Sequence, residues 1–201
     1  MGIKVAVIYY SATGTNYEMA QTARDAAKAE NVEEVKFLKF METAPQEAIE
    51  GNEDWKKHME ATMDVPEVSL DDLEAADAII FSMPTRYGNL PSQVQSFFDM
   101  TGGLWAEGKL VNKVVSGMTS AQNPHGGQET TLMSLYKTMI HWGAIIATPS
   151  YTNPVIFESG GNPYGTSTKG GEVSDAVKAS IKHQAERTVQ VANWVKSGLK
   201  N

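Results

Sequence analysis

The chain has 201 residues, 41% of them hydrophobic, which suits a single compact domain with a full core. Its formal net charge is −7, and an acidic chain without a basic stripe argues against binding nucleic acid or an anionic membrane surface. The sequence contains no cysteine, which excludes disulfide bonds, cysteine–zinc sites and thiol catalysis.

The first predicted element is Ile3–Tyr10, a near-continuous run of apolar, β-branched and aromatic residues. Such a run is typical of a strand that is buried on both faces of a parallel sheet. The run is too short to span a bilayer, and no small-residue cleavage pattern follows it. We therefore expect a cytoplasmic protein without an integral membrane segment.

A turn of small and hydroxyl-bearing residues, Ser11–Asn16, joins this strand to a helix predicted over Thr15–Ala29. Backbone N–H groups at a helix start are unpaired and partly positive, and small residues let an anion approach them. No lysine or arginine occurs between residues 5 and 23, and no G-x-G-x-x-G is present, so the loops typical of nucleoside triphosphate and dinucleotide sites are unsupported. The turn favours a phosphomonoester site, with a plain helix cap as the alternative.

The next predicted strand is Glu34–Phe40, an alternating segment that we place near a sheet edge. Residues 41–66 are polar, and a structureless loop of this length is unusual in a compact domain. We expect a partly helical insertion there, or a segment ordered by a neighbouring subunit. Trp55 and Met59 lie four residues apart, and we interpret them as a local packing pair.

A short helix, Leu70 to Ala75, is predicted after the capping-box pattern of Ser69 and Asp72. Asp77–Met83 is typical of another buried strand. It ends at a polar, glycine-containing loop, Pro84–Asn89.

The second half of the chain continues the alternation of strands and helices. We predict a helix over Gln93–Met100, a loop over Thr101–Trp105, a strand over Leu110–Met118, a polar loop over Thr119–Gly127, a helix over Gln128–His141, a strand over Ala144–Thr148, a loop over Ser150–Gly171 and a helix over Glu172–Lys200. Five strands alternating with helices predict an α/β fold, with a doubly wound parallel sheet covered on both faces. No linker divides the chain, so residues 1–201 are predicted to form one domain.

In an open parallel sheet, ligands bind beyond the carboxyl ends of the strands. The loops Ser11–Asn16, Pro84–Asn89 and Thr119–Gly127 follow the first, third and fourth strands, so all three should lie on that edge. Together they could hold a phosphate, a ribityl chain and a flat ring.

Five motifs that occur in family order resemble the WrbA family of flavodoxin-like NAD(P)H:quinone oxidoreductases. They are Tyr10-Ser11-x-Thr13-Gly14-Thr15, Pro84–Asn89, Thr101–Trp105, Gly126–Thr130 and Pro163–Gly165. The resemblance implies a flavodoxin-like five-stranded sheet of order 2-1-3-4-5 and a homo-tetramer or dimer. It also implies FMN as cofactor, NADH or NADPH as electron donor, and two-electron hydride transfer through the flavin N5 to a quinone.

The resemblance implies roles for particular residues. Arg86 and His141 would be catalytic, whereas Trp105, from a neighbouring subunit, and Tyr164 would line the substrate cavity. Thr13 falls where the family contacts the nicotinamide cofactor. The cofactor-binding residues would be Ser11, Ala12, Thr13, Gly14, Thr15, Asn16, Pro84, Thr85, Arg86, Tyr87, Gly88, Asn89, Thr119, Ser120, Ala121, Gln122, Asn123, Gly126 and His141.

Two departures from the family leave alternatives open. Thr13 and Thr15 stand where the family often has an aromatic residue and a histidine. The segment Ser120–His125 replaces, with one residue more, the family's Ser-Thr-Gly-Thr-Gly. The alternatives are a flavodoxin-type one-electron carrier and a non-catalytic flavin-binding or scaffold protein.

Individual side chains also have simpler interpretations. The alternative interpretation of Arg86 is a surface ion-pair residue, that of Tyr87 a packing aromatic, and that of His141 a capping residue at the helix end. His58, His125 and His183 are predicted to be surface residues. None of the four histidines has metal-ligand spacing with a partner, so no metal site is predicted.

Overall fold

The computed structural model describes residues 2–171 and 173–199. Strands and helices alternate along the chain. They are β1 Lys4–Tyr9, α1 Thr15–Ala29, β2 Glu34–Lys39, α2 Gln46–Glu50, α3 Glu53–Ala61, α4 Leu70–Ala75, β3 Ala78–Pro84, α5 Ser92–Asp99, α6 Gly102–Ala106, β4 Val114–Ala121, α7 Gln128–Trp142, β5 Ile145–Ile146, α8 Val155–Glu158, β6 Ser167–Lys169 and α9 Asp175–Gly198.

The strands form one parallel sheet in the order β2-β1-β3-β4-β5, which confirms the predicted topology. Near the amino end of β1, Val5 lies between Val35 of β2 and Ala78 of β3. A sixth strand was not predicted: β6 pairs in parallel with the carboxyl end of β4, where Thr119 lies beside Ser167.

Helices cover both faces of the sheet, and each face has its own apolar core. Helices α1 and α9 pack on one face of the sheet, and Met19 of α1 and Ile181 of α9 are fully buried there. Helices α4, α5 and α7 pack on the other face, where Phe81 and Phe98 meet edge to face with ring centroids 5.5 Å apart. Each such fully buried side chain contributes roughly 1.5–3 kcal/mol to folding.

Both predicted ends of β4 were wrong, because contacts with other parts of the chain set where this strand begins and ends. β4 starts four residues later than predicted, because Leu110 and its neighbours form a turn in which Asn112 has a φ of 64°. Lys113 anchors that turn by donating to the carbonyls of Glu74 and Ala76, at 2.8 and 2.6 Å. At its other end, β4 extends into the segment predicted as loop, as far as Ala121.

β5 is also shorter than predicted. It contains Ile145 and Ile146 only, whereas a strand was expected over Ala144–Thr148. The carboxyl half of β4 pairs with β6 instead.

The segment 41–66 is partly helical as predicted, since it contains α2 and α3. The predicted loop Thr101–Trp105 was wrong, because most of it forms the short helix α6. The last helix begins at Asp175 behind the cap Ser174, and its predicted bounds Glu172 and Lys200 lie outside the described residues. In the part of the chain that the structure describes, no helix combines the length and apolarity needed to cross a membrane.

The capping box before α4 is confirmed in both directions. The Asp72 N–H donates to Ser69 Oγ at 3.3 Å, and the Ser69 N–H donates to Asp72 Oδ2 at 2.9 Å. Lys36 adds an ion pair with Asp72 at 2.7 Å and helps to hold the pKa of that carboxyl below its usual value, against the opposing effect of burial.

Candidate functional site

A cavity of about 230 Å³ lies at the carboxyl ends of β1, β3 and β4, and we call it the central cavity. Three predicted loops meet there, as the topology required. The predicted residues that line it are Ser11, Ala12, Thr13, Thr15, Asn16, Pro84, Thr85, Arg86, Ser120, Ala121 and Gln122. Three further lining residues were not predicted: Asn52, Trp55 and Gly170.

The first loop has the geometry of an anion site. Gly14 has a φ of 101° and is the N-cap of α1, and it provides no side-chain cap for the helix. Its N–H donates to Ser11 Oγ at 3.0 Å, which fixes the turn, while the Thr13 side chain is exposed. A helix N-terminus capped by glycine leaves backbone N–H groups and the helix dipole free to meet a phosphate.

Asn16 lines the central cavity and also has a structural role. Its side chain is buried, with Nδ2 donating to Ser82 Oγ at 3.1 Å and Oδ1 accepting from Ser120 Oγ at 2.6 Å. The Ser82 hydroxyl in turn donates to the Asn16 carbonyl at 2.9 Å. Asn16 therefore ties the start of α1 to β3 and β4, and it positions the loop with an amide that is already hydrogen-bonded within the protein.

The second and third loops are packed directly on each other. A Cβ on Gly127, at the start of α7, would lie 2.6 Å from Gly88 Cα, so this contact requires a glycine. Thr85 Oγ1 accepts from the Gly88 N–H at 3.1 Å and lies 2.7 Å from Thr131 Oγ1. These contacts fix the two loops relative to each other at the mouth of the central cavity.

Arg86 and Tyr87 are exposed at this mouth. Arg86 donates to the Thr85 carbonyl at 3.2 Å, and it forms no ion pair within the described residues, so the ion-pair interpretation finds no partner there. Tyr87 is fully exposed and has a φ of 52°, which is uncommon for a bulky residue. It does not pack inside this chain, which removes the packing-aromatic interpretation.

Several predicted cofactor residues do not line the central cavity. Thr119 is fully buried in β4, where its N–H donates to the Thr166 carbonyl at 3.1 Å. Asn123 is exposed and accepts from the His125 N–H at 3.0 Å. Gly126 packs so closely that a Cβ there would lie 2.5 Å from Ala121 Cβ. Gly14, Tyr87, Gly88, Asn89 and His141 also lie outside the lining.

His141 and Trp105 lie together in a different place, which we call the outer cavity. It has a volume of about 630 Å³, lies between α5, α6 and α7, and includes Asn89 in its lining. Trp105 Nε1 donates to the His141 carbonyl at 2.9 Å, and both side chains are exposed. No described lining residue is common to the outer and central cavities.

Tyr164 lies in a third cavity, of about 530 Å³, together with Asn123 and Tyr151. Its carbonyl accepts from the Tyr136 hydroxyl at 2.5 Å, and burial raises the pKa of that phenol. Within one chain, the two predicted substrate residues Tyr164 and Trp105 therefore do not share a cavity.

Glu42 connects Trp55, which lines the central cavity, to residues outside the segment 41–66. Its carboxylate accepts from the Tyr10 hydroxyl at 3.0 Å, from Gln93 Nε2 at 2.6 Å and from Trp55 Nε1 at 3.2 Å. Burial and the nearby charge of Glu42 raise the pKa of Tyr10, so its hydroxyl stays protonated and remains a donor.

His58 was predicted to be a surface residue and is half-buried against the first loop. Its Nδ1 is 3.7 Å from where a Cβ on Gly14 would lie, and its ring meets Tyr17 edge-on at 5.3 Å. Burial, reinforced by the charge of Lys39, lowers the pKa of His58. His183 is half-buried too, 2.8 Å from Thr152 Oγ1, whereas His125 is exposed as predicted.

The sheet order and the helices on both faces define a flavodoxin-like α/β fold, with the candidate site at the carboxyl ends of its strands. The WrbA-like flavodoxin of Agrobacterium tumefaciens has a similar structure, with a TM-score of 0.62 at 21% identity over 97% of this chain and 98% of that one. The chain belongs to the NADPH-dependent FMN reductase family, which matches residues 3–154.

Relatives of known sequence are similar over nearly their whole length. A protein of Deinococcus radiodurans named NAD(P)H dehydrogenase (quinone) is 53% identical over 94% of this chain and 95% of its own. A protein of the same name from Syntrophus aciditrophicus is 40% identical over 86% of this chain and 87% of its own.

Proposed function

We propose that this chain is an FMN-dependent NAD(P)H:quinone oxidoreductase that passes two electrons from a nicotinamide cofactor to a quinone. The observation that carries this proposal is the lysine-free phosphate loop at the sheet edge, in a chain of the FMN reductase family. The shared name of the relatives, NAD(P)H dehydrogenase (quinone), supports the choice of donor and acceptor.

The residues of the central cavity fit the phosphate end of FMN. Ser11, Thr13 and the start of α1 offer neutral donors next to Gly14, whose φ of 101° is one that L side chains rarely adopt. The cavity of about 230 Å³ is smaller than the roughly 300–1,000 Å³ of sites that enclose a ligand. The residues of the cavity would therefore hold the phosphate and ribityl chain, and Arg86, which is exposed in its lining, would hold part of the ring.

FMN, when bound, supplies hydride acceptance and two-electron delivery. The chain contributes binding and access. Gln122 and Ala121 bound the cavity opposite the first loop, and Arg86 places a cation near the mouth. Because this mouth is open to solvent, the nicotinamide and the quinone can use it in turn, so we expect ping-pong kinetics.

Assembly into a homo-dimer or tetramer is part of the proposal. Trp105 and Ile140 are 57% and 62% exposed, a high exposure for large apolar side chains that neighbour the outer cavity. We propose that a second subunit covers this region and brings His141 and Trp105 to a neighbouring flavin. We place the protein in the cytoplasm.

Anaerobic absorbance spectroscopy tests the function. NADH or NADPH under argon should bleach the yellow colour of the flavin-loaded protein, and benzoquinone should restore it. A loaded protein that neither nicotinamide bleaches contradicts the enzyme proposal.

A flavodoxin-type one-electron carrier is the second candidate. The observation in its favour is the Ser11–Thr15 turn, which is closer to simple flavodoxins than to the WrbA pattern. Stepwise reduction separates the two functions, because the carrier would accumulate a stable blue semiquinone and the two-electron enzyme would not.

A further inference from the structure

The insertion after β2 reaches the central cavity through the first turn of α3. Asn52 caps this helix, its Oδ1 accepting the Trp55 N–H at 3.1 Å. Both residues line the central cavity, although they belong to no motif of the three loops. The insertion is therefore a wall of the site, in addition to being a spacer between β2 and β3.

Trp55 is held in place by an unusually well-satisfied carboxylate. Besides the indole N–H, Glu42 accepts from Tyr10 and Gln93 side chains, and from the backbone N–H groups of the two residues that follow it, each at 2.9 Å. Hydrogen bonds to an ionised acceptor are stronger than neutral ones. The indole is thus anchored to the end of β1 and to α5.

The position of Trp55 gives it a role that the other lining residues cannot fill. Among the described residues lining the central cavity, it is the one aromatic side chain. It belongs to α3, between β2 and β3 in the chain, whereas Ser120 and Gln122 belong to the end of β4 and the loop after it. A flat aromatic surface in a lining that is otherwise free of aromatic side chains suits a ligand with a planar, apolar face.

We propose that Trp55 contacts the bound flavin and determines how tightly it is held, with Glu42 as the positioning residue that orients the indole. The inference rests on the proposed function, because it takes FMN as the ligand of the central cavity. It assigns the insertion a binding role that neither the loop motifs nor the family match supplies.

Fluorescence titration with FMN tests this proposal on the full-length protein. Trp55→Ala should raise the FMN Kd at least tenfold and leave the bound flavin more fluorescent, because an adjacent indole quenches flavin emission. Trp55→Phe keeps a ring but loses the donor to Glu42, so its Kd should rise less than that of Trp55→Ala. Glu42→Gln should raise the Kd while the Trp55 indole remains present.

Trp194→Phe is the matched control, since Trp194 is exposed on α9 far from the cavity lining. Its FMN Kd should equal that of the wild type. Saturating FMN should also quench the tryptophan fluorescence of Trp55→Phe less than that of Trp194→Phe, because only the second variant keeps the indole at position 55. This second readout comes from a conservative variant, so it stands even where Trp55→Ala folds poorly.

The outcomes separate this inference from the function on which it rests. Suppose that the wild type binds FMN, and that Trp55→Phe has the same FMN Kd within twofold, the same tryptophan quenching and the same fluorescence of the bound flavin. The role of Trp55 is then overturned and the function stands. If wild-type protein leaves FMN fluorescence unchanged, both proposals are overturned.

Discussion

At the scale of single residues, the first loop should bind FMN through uncharged groups. Thr13 is exposed, so Thr13→Glu changes the charge of the loop without disturbing the core. Two like charges about 4 Å apart near a protein surface repel by about 4 kcal/mol. We expect Thr13→Glu to weaken FMN binding by at least a hundredfold, measured by fluorescence titration.

Thr13→Gln is the matched control, because it adds nearly the same volume without charge. It should retain FMN within a few-fold of the wild-type Kd. A Thr13→Glu protein that still carries stoichiometric yellow flavin would contradict the phosphate site.

Asn16 should matter mainly for stability. Asn16→Ala removes the amide that donates to Ser82 Oγ and accepts from Ser120 Oγ, which leaves the Ser120 hydroxyl without its buried acceptor, and an unsatisfied buried polar group costs about 1–3 kcal/mol. We expect the free energy of unfolding in urea to fall by about 2–3 kcal/mol. Asn123→Ala, at an exposed position, should change it by less than about 0.5 kcal/mol.

His58 should make stability depend on pH. Its pKa is lowered in the folded protein, so the unfolded chain binds its proton more readily below about pH 6.5. Stability therefore rises with pH through that range and is lost as the pH falls from 7.5 to 5.5. The pKa of His183 is lowered as well, again mainly by burial, so it adds to the same loss.

Denaturant unfolding at several pH values measures this dependence. His58→Gln should reduce the loss of stability between pH 7.5 and 5.5, while His125→Gln, at an exposed loop position, is the control. An equal pH slope in His58→Gln and wild type would count against the burial of an uncharged imidazole.

At the scale of elements, the packing of Gly127 on Gly88 connects the second and third loops. Gly127→Ala puts a Cβ 2.6 Å from Gly88 Cα at a φ of 88°, so it combines a clash with backbone strain. We expect a loss of about 1–3 kcal/mol in unfolding free energy and weaker FMN binding.

Gly103→Ala in α6 provides the comparison, because no atom lies within 4 Å of the added Cβ. It should be neutral or slightly stabilising, since alanine favours a helix. If both alanine variants behave alike, the contact between the two loops is not what fixes them.

Elements with local signals were predictable from the sequence. β1, its glycine turn and α1 follow from a buried run, a left-handed glycine and helix formers, and α1 has the predicted bounds. β4 was misplaced at both ends because its limits depend on pairing with β3 and β6. β6 has three residues, too few to produce a periodic pattern.

The parts of the candidate site that come directly after strands could be predicted from the sequence. The parts that contacts between distant segments bring to the site could not. That the three loops meet at one edge was predicted from topology, because carboxyl ends of parallel strands share one edge, whereas the roles of their individual residues came from the family resemblance. Trp55 and His58 were missed, since the contacts of Glu42 and Gly14 that place them join segments distant in sequence. The catalytic roles of Arg86 and His141 stay predictions.

At the scale of the whole molecule, we expect an oligomer. Light scattering should give the mass of a dimer or tetramer of the 21.9 kDa chain. Ile140→Glu should shift the mass towards the monomer, because it buries a charge in the proposed subunit contact. Leu199→Glu, equally exposed after α9, should leave the mass unchanged. A monomeric wild-type protein would contradict the assembly.

The edge of β4 that faces away from β3 is paired with two short strands and one side chain rather than with one long strand. β5 covers its start and β6 its end, and between them Gln184 Nε2 donates to the Gly117 carbonyl at 2.8 Å and to Ser116 Oγ at 2.7 Å. A cut between α8 and β6 would leave β6 tied to the sheet only through α9 and its own pairing with Thr119–Ala121. If β6 then left β4, the unpaired peptide groups of that strand would be open to strands of other molecules, so we expect a chain nicked there to aggregate more readily than the intact one.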